Sequence, residues 1–109
     1  MAKVELFHND LQTSANIFKA LGHPARLAIL KYLAETEVCM SGDISKELPL
    51  SRTTVNQHLK ELKNIGIIQG EVEGAKVNYC LAPRKVTEIK GIIEGFLGEI
   101  EVCCTKPGC

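Results

Sequence analysis

The stretch Leu48-Pro-Leu-Ser-Arg-Thr-Thr-Val-Asn-Gln-His-Leu-Lys-Glu-Leu-Lys-Asn64 decides how this chain folds. Pro49 ends whatever helix precedes it, and the Ser51 hydroxyl can accept the unpaired N–H groups of a new helix start. Val55, Leu59 and Leu62 then recur at i, i+4 and i+7, one face of a helix running to about Asn64, and Gly66 follows as a stop. Upstream, Ser41 caps a short helix carrying Ile44 and Leu48. Residues 41–64 therefore read as short helix, tight turn, longer helix, which is the spacing of a helix-turn-helix. In that motif the second helix enters the major groove and its N-terminal side chains meet base edges.

The polar side chains of the longer helix suit that task. Arginine pairs with guanine, asparagine and glutamine with adenine, and a threonine methyl touches thymine. Ser51, Arg52, Thr53, Thr54, Asn56 and Gln57 are the expected DNA-reading residues, with Lys60 and Lys63 as phosphate contacts. A lone helix with such a face reads as an ordinary solvated amphipath. Here the cap, the turn, the side-chain choice and a following hairpin agree, which favours DNA binding.

Outward from this motif, the N-terminal side reads as two helices. Asp10 is the expected N-cap of the first, with Leu11, Ala15, Phe18 and Leu21 as its stripe. Gly22 is expected to end it in the left-handed conformation, and Pro24 opens the second helix, which buries Leu27, Leu30, Leu33 and Ala34. A brief strand is expected through Val38-Cys39-Met40. On the C-terminal side, strands over 67–72 and 77–81 flank a hairpin tip at Gly74-Ala75-Lys76. Pro83 starts a last helix to about Ile100, striped by Val86, Ile89, Ile93, Phe96, Leu97 and Ile100. Its Gly91 and Gly95 share one face, which suits close approach of another helix; they follow no strand, so they form no phosphate loop.

The chain has 109 residues, 13 of them basic and 13 acidic, for a formal net charge of zero. That length favours one domain with a modest core, which a partner subunit would help to cover. Residues 1–100 read as that domain and residues 101–109 as a cysteine-rich tail. Zero net charge excludes a basic nucleic-acid coat, so DNA binding must rest on one local face, doubled by dimerisation. No apolar run approaches a membrane span and no secretory signal is visible, so the expected location is cytoplasmic, with no membrane partner. There is no Cys-x-x-Cys and no His-Glu-x-x-His string, and the chain is expected not to be an enzyme or to hold a catalytic cofactor. His23 and His58 read as capping or structural residues and His8 as solvated.

Phe18-Lys-Ala-Leu-Gly-His-Pro-Ala-Arg-Leu-Ala-Ile-Leu30 resembles the opening of the ArsR/SmtB family of winged-helix repressors. Leu50-Ser-Arg-Thr-Thr-Val-Asn-Gln-His-Leu-Lys-Glu-Leu62 is similar to that family's recognition helix, and Gly66-Ile-Ile to the segment after it. The resemblance covers about residues 11–100. It implies a mainly α fold with a small β-hairpin, a winged helix-turn-helix that dimerises through its first and last helices. It also implies a homodimeric repressor on double-stranded operator DNA that an inducer ion releases. The family hairpin often carries arginines and lysines; here Glu71 and Glu73 precede Gly74, and Lys76 is the main cation. The helix is therefore expected to contribute more to DNA contact than the wing.

Five cysteines in a reducing compartment are free thiols, ligands or redox sensors more often than structural disulfides. Three of them, Cys103, Cys104 and Cys109, fall in the last seven residues. Thiolate sulfur prefers soft centres, and Pro107-Gly108 can turn Cys109 back toward the adjacent pair. The resemblance sharpens this. The Cys-x-Cys pair of many arsenic and cadmium sensors is reduced here to Cys39. The last helix lacks the histidine of the zinc sensors, and the second helix lacks the cysteine of the persulfide sensors. A few arsenic-responsive members carry a similar vicinal pair followed by a third cysteine, which implies As(III) or Sb(III) as inducer at Cys103, Cys104 and Cys109. The same DNA-binding fold sensing Cd, Pb or Zn, or thiol oxidation or persulfide, is the alternative. Cys80 reads as a small buried hairpin residue. Cys39 reads as core filler first and auxiliary ligand second.

Overall fold

The computed structural model describes residues 6–36, 39–41, 48–73 and 76–101. In chain order these form α1 (Asn9–Leu21), α2 (Pro24–Glu35), β1 (Cys39–Ser41), α3 (Arg52–Asn64), β2 (Ile68–Glu73), β3 (Lys76–Leu81) and α4 (Pro83–Ile100). Most of the expected short helix, residues 42–47, lies outside the described residues, as do Val38, the hairpin tip at 74–75 and the tail from 102 to 109; of its described residues, Ser41, the expected cap, ends β1, and Leu48 lies in a turn.

The helix starts are set by local side-chain chemistry. His8, not Asp10, caps α1: its Nδ1 accepts the Asp10 N–H at 3.2 Å. Asp10 sits instead in the first turn, where a carboxylate complements the helix dipole. Gly22 closes α1, but at φ −80° and ψ 48° rather than in the left-handed region. His23 Nδ1 accepts the Ala25 N–H at 3.0 Å and so caps α2, with Pro24 at its first turn, where a missing donor costs nothing. Ser51 caps α3, and α4 opens on Pro83 without a side-chain cap.

One core joins the elements. Ile17 of α1, Ile29 and Leu33 of α2, and Val55, Leu59 and Leu62 of α3 meet Ile67, Ile68, Tyr79 and Ile89. Each fully buried aliphatic side chain contributes about 1.5–3 kcal/mol relative to exposure. The buried face of α3 is the expected one. Those of α1 and α2 are rotated. They bury Ile17 and Ala20, and Ala25, Ile29 and Leu33, while Leu11 and Leu27 are exposed. Both helices carry apolar residues on more than one side, so periodicity alone does not select the face; packing of α1 and α2 against α3 does. Of the expected α4 stripe only Ile89 is buried, and Val86, Leu97 and Ile100 are exposed.

The three strands form an antiparallel sheet in the order β1-β3-β2. Gly66 follows α3 at φ 81°, a conformation that glycine adopts without strain. Gly70 in β2 has φ 143° and faces Tyr79 across the ladder, and a Cβ there would run into the Asn78 carbonyl. A single residue, Ala82, joins β3 to α4, and its N–H donates to the Ile67 carbonyl at 2.9 Å.

Candidate nucleic-acid interface and thiol sites

α3 is held by its inner side and offers its outer side to solvent. Ser51 accepts the Thr54 N–H at 3.2 Å and donates to Thr54 Oγ1 at 2.9 Å, fixing the first turn. Val55, His58, Leu59 and Leu62 are buried against the rest of the fold. The opposite face presents Thr53, Gln57, Lys60 and Asn64, flanked by Arg52 and Lys63, all exposed. Asn56 and Thr54 are half-buried at the margins, and Glu61 is an exposed carboxylate among the cations. The expected reading residues thus share one helix, with Ser51 and Thr54 engaged in the cap. Asn64 was not anticipated; its signal is the i, i+4, i+7 spacing back to Lys60 and Gln57. Lys76 opens β3, some distance along the chain, and its side chain lies outside the described residues.

A polar contact also joins α3 to α2. Arg26 Nε donates to His58 Nδ1 at 3.0 Å. Arg26 Nη1 donates to the carbonyls of Ala20 at 3.0 Å and Lys19 at 3.4 Å, the last turn of α1. The His23 and His58 rings lie 4.4 Å apart, tilted by 46°. Burial pushes the His58 pKa down, and the nearby His23 and Arg26 act in the same direction. Both histidines therefore do structural work, as expected, and a neutral His58 that accepts from Arg26 at Nδ1 carries its proton on Nε2.

The cysteines divide into two groups. Cys103, Cys104 and Cys109 lie outside the described residues, beyond the end of α4. Among the described residues no cluster of three or more His, Cys, Asp or Glu side chains is arranged to hold a metal ion. Cys80 departs from expectation. It is half-buried and disulfide-bonded, not a simple packing residue. It occupies the central strand, with Gln69 of β2 on one side and Cys39 of β1 opposite it on the other.

A capped, solvent-facing helix seated on a small helical core and followed by a β-hairpin is the arrangement of a winged helix-turn-helix fold. The arsR family of bacterial regulatory proteins matches residues 23–69. An uncharacterized HTH-type transcriptional regulator of Methanocaldococcus jannaschii, MJ1325, is 37% identical over 83 residues, spanning 76% of this chain and 93% of that protein. A cadmium resistance transcriptional regulatory protein CadC homolog of Staphylococcus aureus is 33% identical over 102 residues, spanning 93% of this chain and 82% of that one. An ArsR-like transcriptional regulator from Rhodococcus sp. RHA1 superposes with a TM-score of 0.63 over 85% of this chain and 87% of its own at 21% identity, a likeness of fold. The chain belongs to the ArsR family of transcriptional regulators and is not an enzyme.

Proposed function

We propose that this regulator is a homodimeric repressor that holds double-stranded operator DNA and releases it when As(III) or Sb(III) binds Cys103, Cys104 and Cys109. The observation that carries the reading is a juxtaposition. Three thiols follow within nine residues of the end of α4, the helix that leaves Val86, Leu97 and Ile100 of its apolar stripe exposed. Soft sulfur ligands suit a thiophilic ion, and a trio suits a three-coordinate one. Uptake at the end of α4 shifts DNA binding only through a higher affinity of the ion for the DNA-free state.

The dimer rests on the same surface. Leu97 and Ile100 of α4 and Leu11 and Phe18 of α1 are exposed. Phe18 meets Phe96 edge-on at 5.7 Å, and an apolar groove of about 400 Å³ runs along α1 from Phe7 to Phe18 with Phe96 of α4 as its wall. A Cβ at Gly91, Gly95 or Gly98 would meet nothing within 4 Å, leaving room for a second helix to approach. Two copies would pair two recognition helices on one duplex. In this reading Arg52, Thr53, Asn56 and Gln57 read base edges, Lys60, Lys63 and Lys76 meet phosphates, and Ser51 and Thr54 fix the first turn. The tail would be the sensor for residues 1–100.

Cadmium is a second reading, favoured by the name of the Staphylococcus relative. A single titration separates the two. The full chain and its Cys103→Ser/Cys104→Ser/Cys109→Ser variant are bound to a duplex from the promoter of the chain's own gene. Arsenite, antimonite, cadmium, zinc or peroxide is then added. Arsenite is expected to free the wild type and leave the variant bound. Equal release of the variant by arsenite would remove the reading, and release by cadmium alone would favour the second.

A further inference from the structure

β3 is the central strand of the sheet, so its residues have a neighbour on either side. At Cys80 those neighbours are Gln69 and Cys39, and Cys80 is disulfide-bonded. Opposed Cα atoms in an antiparallel ladder lie about 4.5–5.5 Å apart. That falls inside the span of roughly 4.4–6.8 Å that a disulfide bridges. The three tail cysteines are separated from β3 by the whole 18-residue length of α4.

We infer that Cys39 is the other half of this disulfide, and that the pair is a site of reversible thiol oxidation at the base of the wing. The segment it closes, from 39 to 80, contains all of α3 and β2 and nearly all of β3, the complete DNA-reading unit. The oxidant it suits is a low-molecular-weight disulfide of the glutathione type. One cysteine thiolate attacks the oxidant's S–S bond, forming a mixed disulfide and expelling one thiol. The second thiolate then attacks the mixed disulfide and expels the other. Two cysteine thiols lose two electrons and two protons, and the oxidant becomes two thiols. In a reducing compartment such a bond is transient, as redox-sensing disulfides are. The oxidised form holds α3 and the hairpin in one closed loop. It therefore has less order left to gain on binding, and binds DNA more tightly.

The inference rests on the DNA-binding reading but not on the arsenic one. Its test uses the full chain with all three tail cysteines changed to serine, so the two readings fail separately. The protein is equilibrated with oxidised or reduced glutathione, alkylated and mapped by peptide mass spectrometry. Its affinity is measured on a duplex selected from a random-sequence library by the reduced protein. A Cys39–Cys80 cross-linked peptide is expected after oxidation, with binding tighter by about threefold or more. Both effects are expected to vanish in Cys39→Ser and in Cys80→Ser. Two free thiols after oxidation, a glutathione adduct without the cross-link, or equal affinities in the two states would each overturn the inference. So would a Cys80 bond to a tail cysteine in the wild-type chain.

Discussion

Arg26 ties three helices together through one side chain. Its guanidinium reaches the last carbonyls of α1 and a ring nitrogen of α3 while its backbone lies in the first turn of α2. The recipient, His58, is only 8% exposed, and its Nδ1 must stay unprotonated to accept this bond. Burial first, then His23 and Arg26, hold its pKa below the ordinary 6.5. Below that pH the unfolded chain therefore binds more protons than the folded one, so stability falls as acid is added. The contribution is fully present above pH 6.5 and is lost as pH drops from there through the lower value of the folded state. Thermal unfolding followed across this range is expected to show the midpoint falling on acidification, with a shallower fall in His58→Gln. An equally steep fall in the variant would assign the pH dependence to another group.

At the scale of the element, α3 has a buried face that holds it and an exposed face on which the proposed base and phosphate contacts make separate predictions. Gln57→Ala is expected to cost about 1–3 kcal/mol of discrimination at one base pair. Lys60→Ala is expected to weaken binding to all duplexes alike and to reduce the salt slope by about one. Binding titrations on matched and mismatched duplexes at several salt concentrations read both effects. A salt slope unaltered by Lys60→Ala would take that residue off the phosphates. α3 was legible in the sequence because its boundaries are chemical, Pro49 and Ser51 before it and Gly66 after it, and because it has a single apolar face. α1 was legible in extent but not in orientation, because Leu11, Ala15 and Phe18 compete with Ile17 and Ala20 for the interior. The contact of Arg26 with His58 spans 32 positions and leaves no local pattern. The pairing of Cys39 with Cys80 was hidden for the same reason, since β1 has only three residues and its partner lies beyond α3 and β2.

At the scale of the whole molecule, the uncovered faces of α1 and α4 matter most. Leu97 is 49% exposed, so Leu97→Asp leaves the core of one chain intact while placing a charge on the surface proposed for the second copy. Sedimentation equilibrium is expected to show a monomer with unchanged helical content, and operator affinity is expected to fall with the loss of the second recognition helix. A Leu97→Asp protein that remains a dimer would move the subunit contact elsewhere. The joint at Ala82 bears on how such a protein transmits a signal. Strand and helix meet there through one residue, itself tied to the Ile67 carbonyl just beyond the end of α3. A twist imposed on α4 by anything attached to its far end has no slack loop in which to dissipate. Under the proposed sensing scheme it would reach the hairpin and α3 together, so chemically unrelated attachments at the far end of α4 would drive the same mechanical output.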